Sequence, residues 1–541
     1  MHPLLLLVIV PVLVVAHAIQ RRRYRSLKHI RGPSVPSWAF GHEFAFTRQQ
    51  ETGDFDFACL KEYGSTWRVG GPFGGDQIMT ADPKALQHIL HKSGYNYPKR
   101  RDTTKMLELF SGGPGIVSVV GEIHQRQRKI MNPAFSATQL RTFLPMFEEI
   151  GQKLCEKWNK EVIETTTKIV HVNKWLARTT LDIIGQAAFD YDYSALDETD
   201  NALSKSYNTL FVDSAMYPTK PKLFFRILWN YLPDWVLDIL VLIPTRELQR
   251  IRRTSRLFKE VSGKLLQEKG SEVQEKAEEG HKDVLSILVK ANAAEEPRGR
   301  LSDEEMKAQM QTLTTAGHET TASTVSWMLL ELARHPEYQA RLRAEVRTRR
   351  EVMRARGDIR FNVEDLDSLT LLNNAIKETL RYHPIVFFLN RYALKDDVIP
   401  LQEPIVSTTG EVIDAIPVKA GQWIKLSLCA YNRLPSVWGA DPNVWNPDRF
   451  FHIDPIQQTK VGVYSNLATF SGGVRSCIGW RFSLIEMQAL ASELLERFEF
   501  KLPTDETHDI QRIPAGGLMV PMVRGKWDLG PVIPLSVAAI P

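Results

Sequence analysis

This sequence predicts a mainly α-helical protein folded as one large unit, on three observations. Residues 307–333 carry a long helical pattern, and a second runs W-R-F-S-L-I-E-M-Q-A-L-A-S-E-L-L-E from Trp480 to Glu496. No internal repeat, long low-complexity tract or Gly/Ser linker divides the 541 residues, although length alone would suggest roughly three or four domains. The groups that carry chemistry are spread from Gly121 to Gly479, so distant segments must meet at one site.

Composition narrows the class. Hydrophobic content of 43 % and charged content of 24 % are those of an ordinary globular protein. The net charge of +5 is modest for this size and serves solubility, or a basic docking face. Neither a zinc knuckle nor a basic stripe with interleaved aromatics is present, which excludes nucleic-acid binding. Four scattered cysteines (Cys59, Cys155, Cys429 and Cys477) form no CxxC pair and no disulfide framework, so the expected compartment is reducing. Gly112-Gly113-Pro114-Gly115 lacks the following Gly-Lys-Ser/Thr of a phosphate-binding loop.

The N-terminus reads as a retained anchor. Pro3 to Ile19 has no ionisable side chain except His17, and Arg21-Arg22-Arg23-Tyr24-Arg25 follows at once. Seventeen helical residues span about 26 Å, just short of a hydrocarbon core of ~30 Å. Ala16-His17-Ala18 looks like a cleavage site, but a signal peptide carries its positive charge before the apolar stretch, not after it. We therefore expect a transmembrane anchor over residues 3–20, a basic and proline-rich hinge over 21–36, and one large folded domain over 37–541 facing the cytoplasm. Gly32-Pro33-Ser34-Val35-Pro36 disfavours helix and sets an extended path.

Residues 470–479 read F-S-G-G-V-R-S-C-I-G. Glycines permit close backbone approach to a bound group, and Cys477 sits just before a predicted helix N-terminus, where the dipole and free N–H groups favour an anionic sulfur. Phe470, Gly473, Arg475, Cys477 and Gly479 resemble the cysteine-ligand loop of the cytochrome P-450 haem-thiolate monooxygenases, and R-G-P-S-V-P-S-W-A-F-G-H-E at residues 31–43 with A-G-H-E-T-T at 316–321 looks like its membrane-bound fungal members. The resemblance covers nearly the whole chain. It implies a mainly α fold with small β-sheets, a single large cytochrome P-450 domain preceded by an N-terminal transmembrane helix, heme b (iron protoporphyrin IX) as cofactor and Cys477 as the iron ligand.

Further segments extend the resemblance. Ala316-Gly317-His318-Glu319-Thr320-Thr321 is similar to the family's central helix, which implies a thin distal face at Ala316-Gly317 and an acid–alcohol proton relay at Glu319 and Thr320. His318, on a neighbouring helical position, should point elsewhere. Glu378 and Arg381 share a helical face, and with Arg449 of Pro447-Asp448-Arg449-Phe450 they imply a buried network bracing the haem loop; Asp448 departs from the commoner Glu. His124 and Arg128, four apart on one face, resemble the haem-edge helix, and Arg391 is a third expected propionate partner.

By family position the substrate pocket includes Ala316, Val386, Phe387, Phe388, Met519 and Val520, and the aromatics Phe211, Phe224, Phe225, Trp229, Tyr231 and Trp235 cover its access channel. The activity implied is insertion of one atom of dioxygen into a lipophilic substrate such as a terpenoid, fatty acid or polycyclic aromatic, with fungal specialised metabolism as the setting. No flavin or nicotinamide motif is present, so an NADPH-cytochrome P-450 reductase in the same endoplasmic reticulum membrane should deliver electrons, with Arg126 and Lys129 in its docking surface. The alternatives are a xenobiotic or fatty-acid hydroxylase, a peroxide isomerase or dehydratase, and a non-catalytic haem carrier. The last two are disfavoured because Glu319 and Thr320 are both present.

Overall fold

The computed structural model describes residues 27–160, 169–197, 216–275, 283–453 and 458–540, with isolated positions 12, 15, 16, 203 and 206. The expected anchor over residues 3–20 lies almost wholly outside the described residues, and the basic run at 21–25 and Phe211 lie wholly outside them. Among the described residues no helix is long and apolar enough to cross a membrane.

Helices dominate and the strands form small sheets. In chain order the strands are β1 (Thr66–Gly70), β2 (Asp76–Thr80), β3 (Ile169–His171), β4 (Phe388–Tyr392), β5 (Asp397–Val406), β6 (Val412–Val418), β7 (Trp423–Ser427), β8 (Phe498–Lys501), β9 (Ile510–Ala515), β10 (Leu518–Val523) and β11 (Pro534–Ala539). One sheet has the order β1-β2-β7-β4, with β2 and β7 parallel. A second has the order β3-β11-β8, and β5/β6 and β9/β10 are two-stranded. Residues from β4, β7, β9 and β10 line the interior cavities described below.

The spine of the fold is the central helix, Asp303–Arg334. Ser302 and Glu305 form a reciprocal capping box, and Asp303, Glu304 and Glu305 place negative charge on the first turn, complementing the helix dipole. It is buried along most of its length, packed by helices Val172–Phe189, Thr370–Tyr382, Arg246–Glu275 and Trp480–Arg497. Gly317 belongs to that packing. A Cβ there would lie 3.1 Å from Ile184 Cδ1, so the glycine makes room for the neighbouring helix. Of the two residues expected to thin the distal face, Ala316 lines an interior cavity, and Gly317 is half-buried against Ile184.

The proline-rich segment is fastened to β1. The Arg68 N–H donates to the Arg31 carbonyl at 2.9 Å, and Leu27 and Ile30 are fully buried. Residues 31–35 carry no helix or strand, in keeping with Pro33 and Pro36. Any anchor preceding Leu27 is thus joined to the domain through a packed connection. Removing residues 1–26, and no more, should loosen membrane attachment while leaving Leu27 and Ile30 in the core. Partition of the truncated chain after a carbonate wash checks this; undiminished retention would assign attachment elsewhere.

Candidate active site

The described residues bring the predicted loop, helices and cations together. Helix Trp480–Arg497 starts directly after Gly479, which occupies its N-cap position. The Cys477 N–H donates to the Phe470 carbonyl at 2.9 Å, and Phe470 is buried. Gly473 has φ +64, and a Cβ there would lie 1.8 Å from the Leu90 carbonyl oxygen. It therefore packs the loop closely on residues 90–91.

Cys477 differs from the other cysteines. Cys59, Cys155 and Cys429 are buried, and burial pushes Cys59 and Cys155 up to about 12 and Cys429 well above the ordinary thiol range. Such thiols are inert. Cys477 is exposed. Burial raises this thiol as well, but the Gly479 N–H and the Arg128 guanidinium oppose that effect and favour the anion.

The bracing network is as the sequence implies. Glu378 accepts from Arg381 Nε and Nη2 at 2.8 Å each and from Arg449 Nε at 3.0 and 3.1 Å, all three side chains being buried. The spare guanidinium protons of Arg381 go to the carbonyls of Asn432, Pro442 and Val444, and those of Arg449 to Trp438, Asp441 and Val444. Asp448 lies outside the network and pairs with Arg341 at 3.0 Å. The departure from Glu therefore leaves it intact.

Helix Gly121–Met131 holds His124 and Arg128 on one side. Arg128 Nη1 donates to the Ser476 carbonyl at 2.7 Å and Nη2 to its hydroxyl at 3.2 Å, so it also braces the cysteine loop. His124 Nδ1 lies 2.7 Å from the Tyr95 hydroxyl, and burial with the nearby charges of Arg475, Lys99 and Arg128 pushes the imidazole down to about 3. Arg126 is engaged within the fold, paired with Glu305 and the Arg300 carbonyl, and Lys129 pairs with Glu295 at 2.7 Å.

Lys99, Arg391 and Arg475 converge with no carboxylate beside them among the described residues. Burial holds Arg391 down to about 10, and Arg475 adds to the effect; burial and Arg128 hold Arg475 down to about 10. Lys99 is driven well below its ordinary range by burial, Arg391 and Arg475. Both terminal nitrogens of Arg475 are buried without a hydrogen-bond partner among the described residues. Buried like charges left unpaired are costly, and a group presenting two carboxylates would relieve them. The propionates of haem b fit this cluster, and the accessible Cys477 sulfur fits its iron. Tyr95 and Lys99 were missed from the sequence, since Y-N-Y-P-K-R has no periodicity or motif that marks it.

Beside the central helix is a mostly apolar cavity of about 230 Å³ lined by Phe110, Ala316, Glu319, Thr320, Val386, Met519 and Val520, among others. A second cavity of about 360 Å³ is lined by Phe387, Phe388 and Arg391 and shares Leu107, Phe110, Val386 and Leu518 with the first. The predicted pocket residues thus divide between two adjoining spaces. Thr320 Oγ1 donates to the Ala316 carbonyl at 2.8 Å. Burial pushes the Glu319 carboxyl up to about 7, and its Oε2 has no hydrogen-bond partner among the described residues. His318 is buried, with Nδ1 2.7 Å from the Thr314 carbonyl, and serves packing. Of the access-channel aromatics, Trp229 is core, Phe224, Phe225 and Tyr231 are half-buried, and Trp235 is 67 % exposed.

The family profile of cytochrome P-450 matches residues 30–529. The chain belongs to the cytochrome P-450 family. It is 33 % identical to cytochrome P-450 monooxygenase 205 of Postia placenta, over 94 % of this chain and 92 % of that one. It is 35 % identical to ganoderic acid synthetase CYP5150L8 of Ganoderma lucidum, over 81 % of this chain and 82 % of the relative. Cytochrome P-450 monooxygenase claQ of Ampulloclitocybe clavipes is 29 % identical over 94 % and 93 %. As a cytochrome P-450 the protein is an oxidoreductase that uses haem b. When bound, haem b supplies an iron at which dioxygen is activated, and a thiolate ligand favours cleavage of the O–O bond.

Proposed function

We propose that this cytochrome P-450 hydroxylates, epoxidises or oxidises stepwise a lipophilic specialised metabolite of terpenoid type, with Cys477 as iron ligand. Electrons come from an NADPH-cytochrome P-450 reductase in the endoplasmic reticulum membrane. The observation that carries the substrate class is the mostly apolar chamber over Ala316 and Thr320, which adjoins the second cavity. Small-molecule pockets fall at about 300–1,000 Å³ and are mostly apolar. The name of the Ganoderma lucidum relative, a ganoderic acid synthetase, supports a specialised-metabolite setting. The apolar run at residues 3–20, with its cationic flank, supports a single-pass anchor. Trp235, Ile239 and Leu242, exposed on and beside helix Asp234–Leu240, support a second contact with the bilayer.

In this reading His124, Arg128, Arg391, Arg475 and Lys99 bind the cofactor edge, and Glu378, Arg381 and Arg449 hold the loop. Glu319 stores a proton in the dry chamber wall, and the Thr320 hydroxyl, able to donate and accept, passes it onward. Titrating the haem spin state in membranes against terpenoids, fatty acids and polycyclic aromatics tests the substrate class. A low-to-high-spin shift is expected with terpenoids; a shift confined to another class overturns the assignment.

Two variants test the relay. Thr320→Ala should retain haem yet divert reducing equivalents to hydrogen peroxide, lowering product per NADPH on the order of tenfold or more. Glu319 keeps its proton below about pH 7 and loses it above. Coupling should therefore decline as the pH rises through about 7, and Glu319→Gln should lose that dependence. Product and NADPH measured on both sides of that pH decide the point.

A further inference from the structure

The 360 Å³ cavity has charged walls as well as apolar ones, and its charges do not balance locally. Glu43 and Asp102 are both engaged by Arg100: Nη1 donates to Glu43 at 2.8 Å, while Nε and Nη2 grip Asp102 at 3.2 and 2.7 Å. Glu247 is held by Lys222 at 2.7 Å. Lys99 and Arg391 belong to the cation cluster with Arg475. One cation of the lining, Arg226, then remains, and Lys425 has only a share of Glu43 at 3.8 Å.

Arg226 stands on helix Lys220–Leu228 and lines both this cavity and a surface groove of about 740 Å³, so it sits where the outside meets the interior. The acid whose charge it is felt by is Asp102, already gripped by Arg100 on both oxygens. Among the described residues the Arg226 guanidinium has no hydrogen-bond or ion-pair partner. Lys425, on β7, is buried between the rings of Phe46 and Phe388, with Nζ 4.0 and 4.1 Å from their centres. Its Nζ makes no hydrogen bond among the described residues, and Glu43 Oε2 is 3.8 Å away. The surface groove adds Arg246 and Arg250 around the single acid Glu247.

We propose that Arg226 captures a carboxylate at the far end of the substrate, making the preferred substrate a lipophilic carboxylic acid whose apolar body extends toward Ala316 and Thr320. A guanidinium at the mouth of an apolar chamber binds a carboxylate bidentately and leaves the hydrocarbon to fill the chamber. The Lys425 charge deepens the positive potential along the same wall. The inference rests on the haem-monooxygenase reading of the site.

Imidazolyl-alkanoic acids of increasing chain length, each paired with its methyl ester, test it in the full-length haem-loaded protein. The imidazole reports binding at the iron through the Soret band, independently of turnover, and chain length acts as a ruler to Arg226. At one length the acid should bind about tenfold tighter than its ester, a difference of about 1.4 kcal/mol. Arg226→Gln should erase the acid/ester ratio, whereas Arg226→Lys should keep part of it, the ester serving as reference within each variant. Equal binding of acid and ester at every length, or a ratio that survives in Arg226→Gln, overturns the proposal. Failure of every acid and every ester alike to shift the Soret band would instead count against the haem reading beneath it.

Discussion

Cys477→Ser should abolish the thiolate signature in the reduced, carbon-monoxide-bound spectrum of the haem and, with it, NADPH-dependent oxygen insertion. A serine hydroxyl remains protonated where a thiol ionises, so the electron-rich ligand that favours O–O cleavage is lost. No other thiol can substitute, because Cys59, Cys155 and Cys429 are buried and held protonated. Haem content should fall as well, leaving the cation cluster of Lys99, Arg391 and Arg475 as the main remaining hold on the cofactor. A spectrum unchanged by the substitution would end the ligand assignment.

Glu378→Ala should prevent accumulation of haem-loaded protein. Glu378 is the carboxylate shared by two buried guanidiniums, and its loss strands both. Breaking a buried, hydrogen-bonded pair costs about 3–5 kcal/mol, a large part of a total stability of about 5–15 kcal/mol. The damage should spread through backbone. Arg381 and Arg449 hold the carbonyls of residues 432–444, and Asn432 in turn receives the Ala468 N–H at 3.0 Å, two residues before Phe470. Haem per folded chain and the thermal unfolding midpoint measure the effect. Normal haem content with a lowered kcat alone would assign Glu378 to chemistry instead of bracing.

What could be read from sequence is what local chemistry constrains. The cysteine loop, the Glu–x–x–Arg pair and the His124/Arg128 spacing are fixed by one turn or one helix face, and the structure places each as expected. Arg449 joined its partners only through the family resemblance, since 68 residues separate it from Arg381. Tyr95 and Lys99 lay beyond reach because their role depends on a cation cluster assembled from three remote segments. The reasons behind two glycines were also hidden. Gly317 and Gly473 answer to Ile184 and Leu90, contacts that no local pattern encodes. Arg226 was passed over for the same reason: it reads as one of many surface cations until the cavities on both sides of it are seen.

Turnover with isotopically labelled dioxygen tests the central claim most directly. The full-length protein, a cytochrome P-450 reductase and NADPH would be supplied with the compound giving the largest spin-state shift. One labelled oxygen atom in the product, the other in water, and one NADPH consumed per oxygen inserted is the predicted result. Product formed without NADPH and without label would contradict it, and would make this chain a rearranging enzyme despite its intact Glu319 and Thr320.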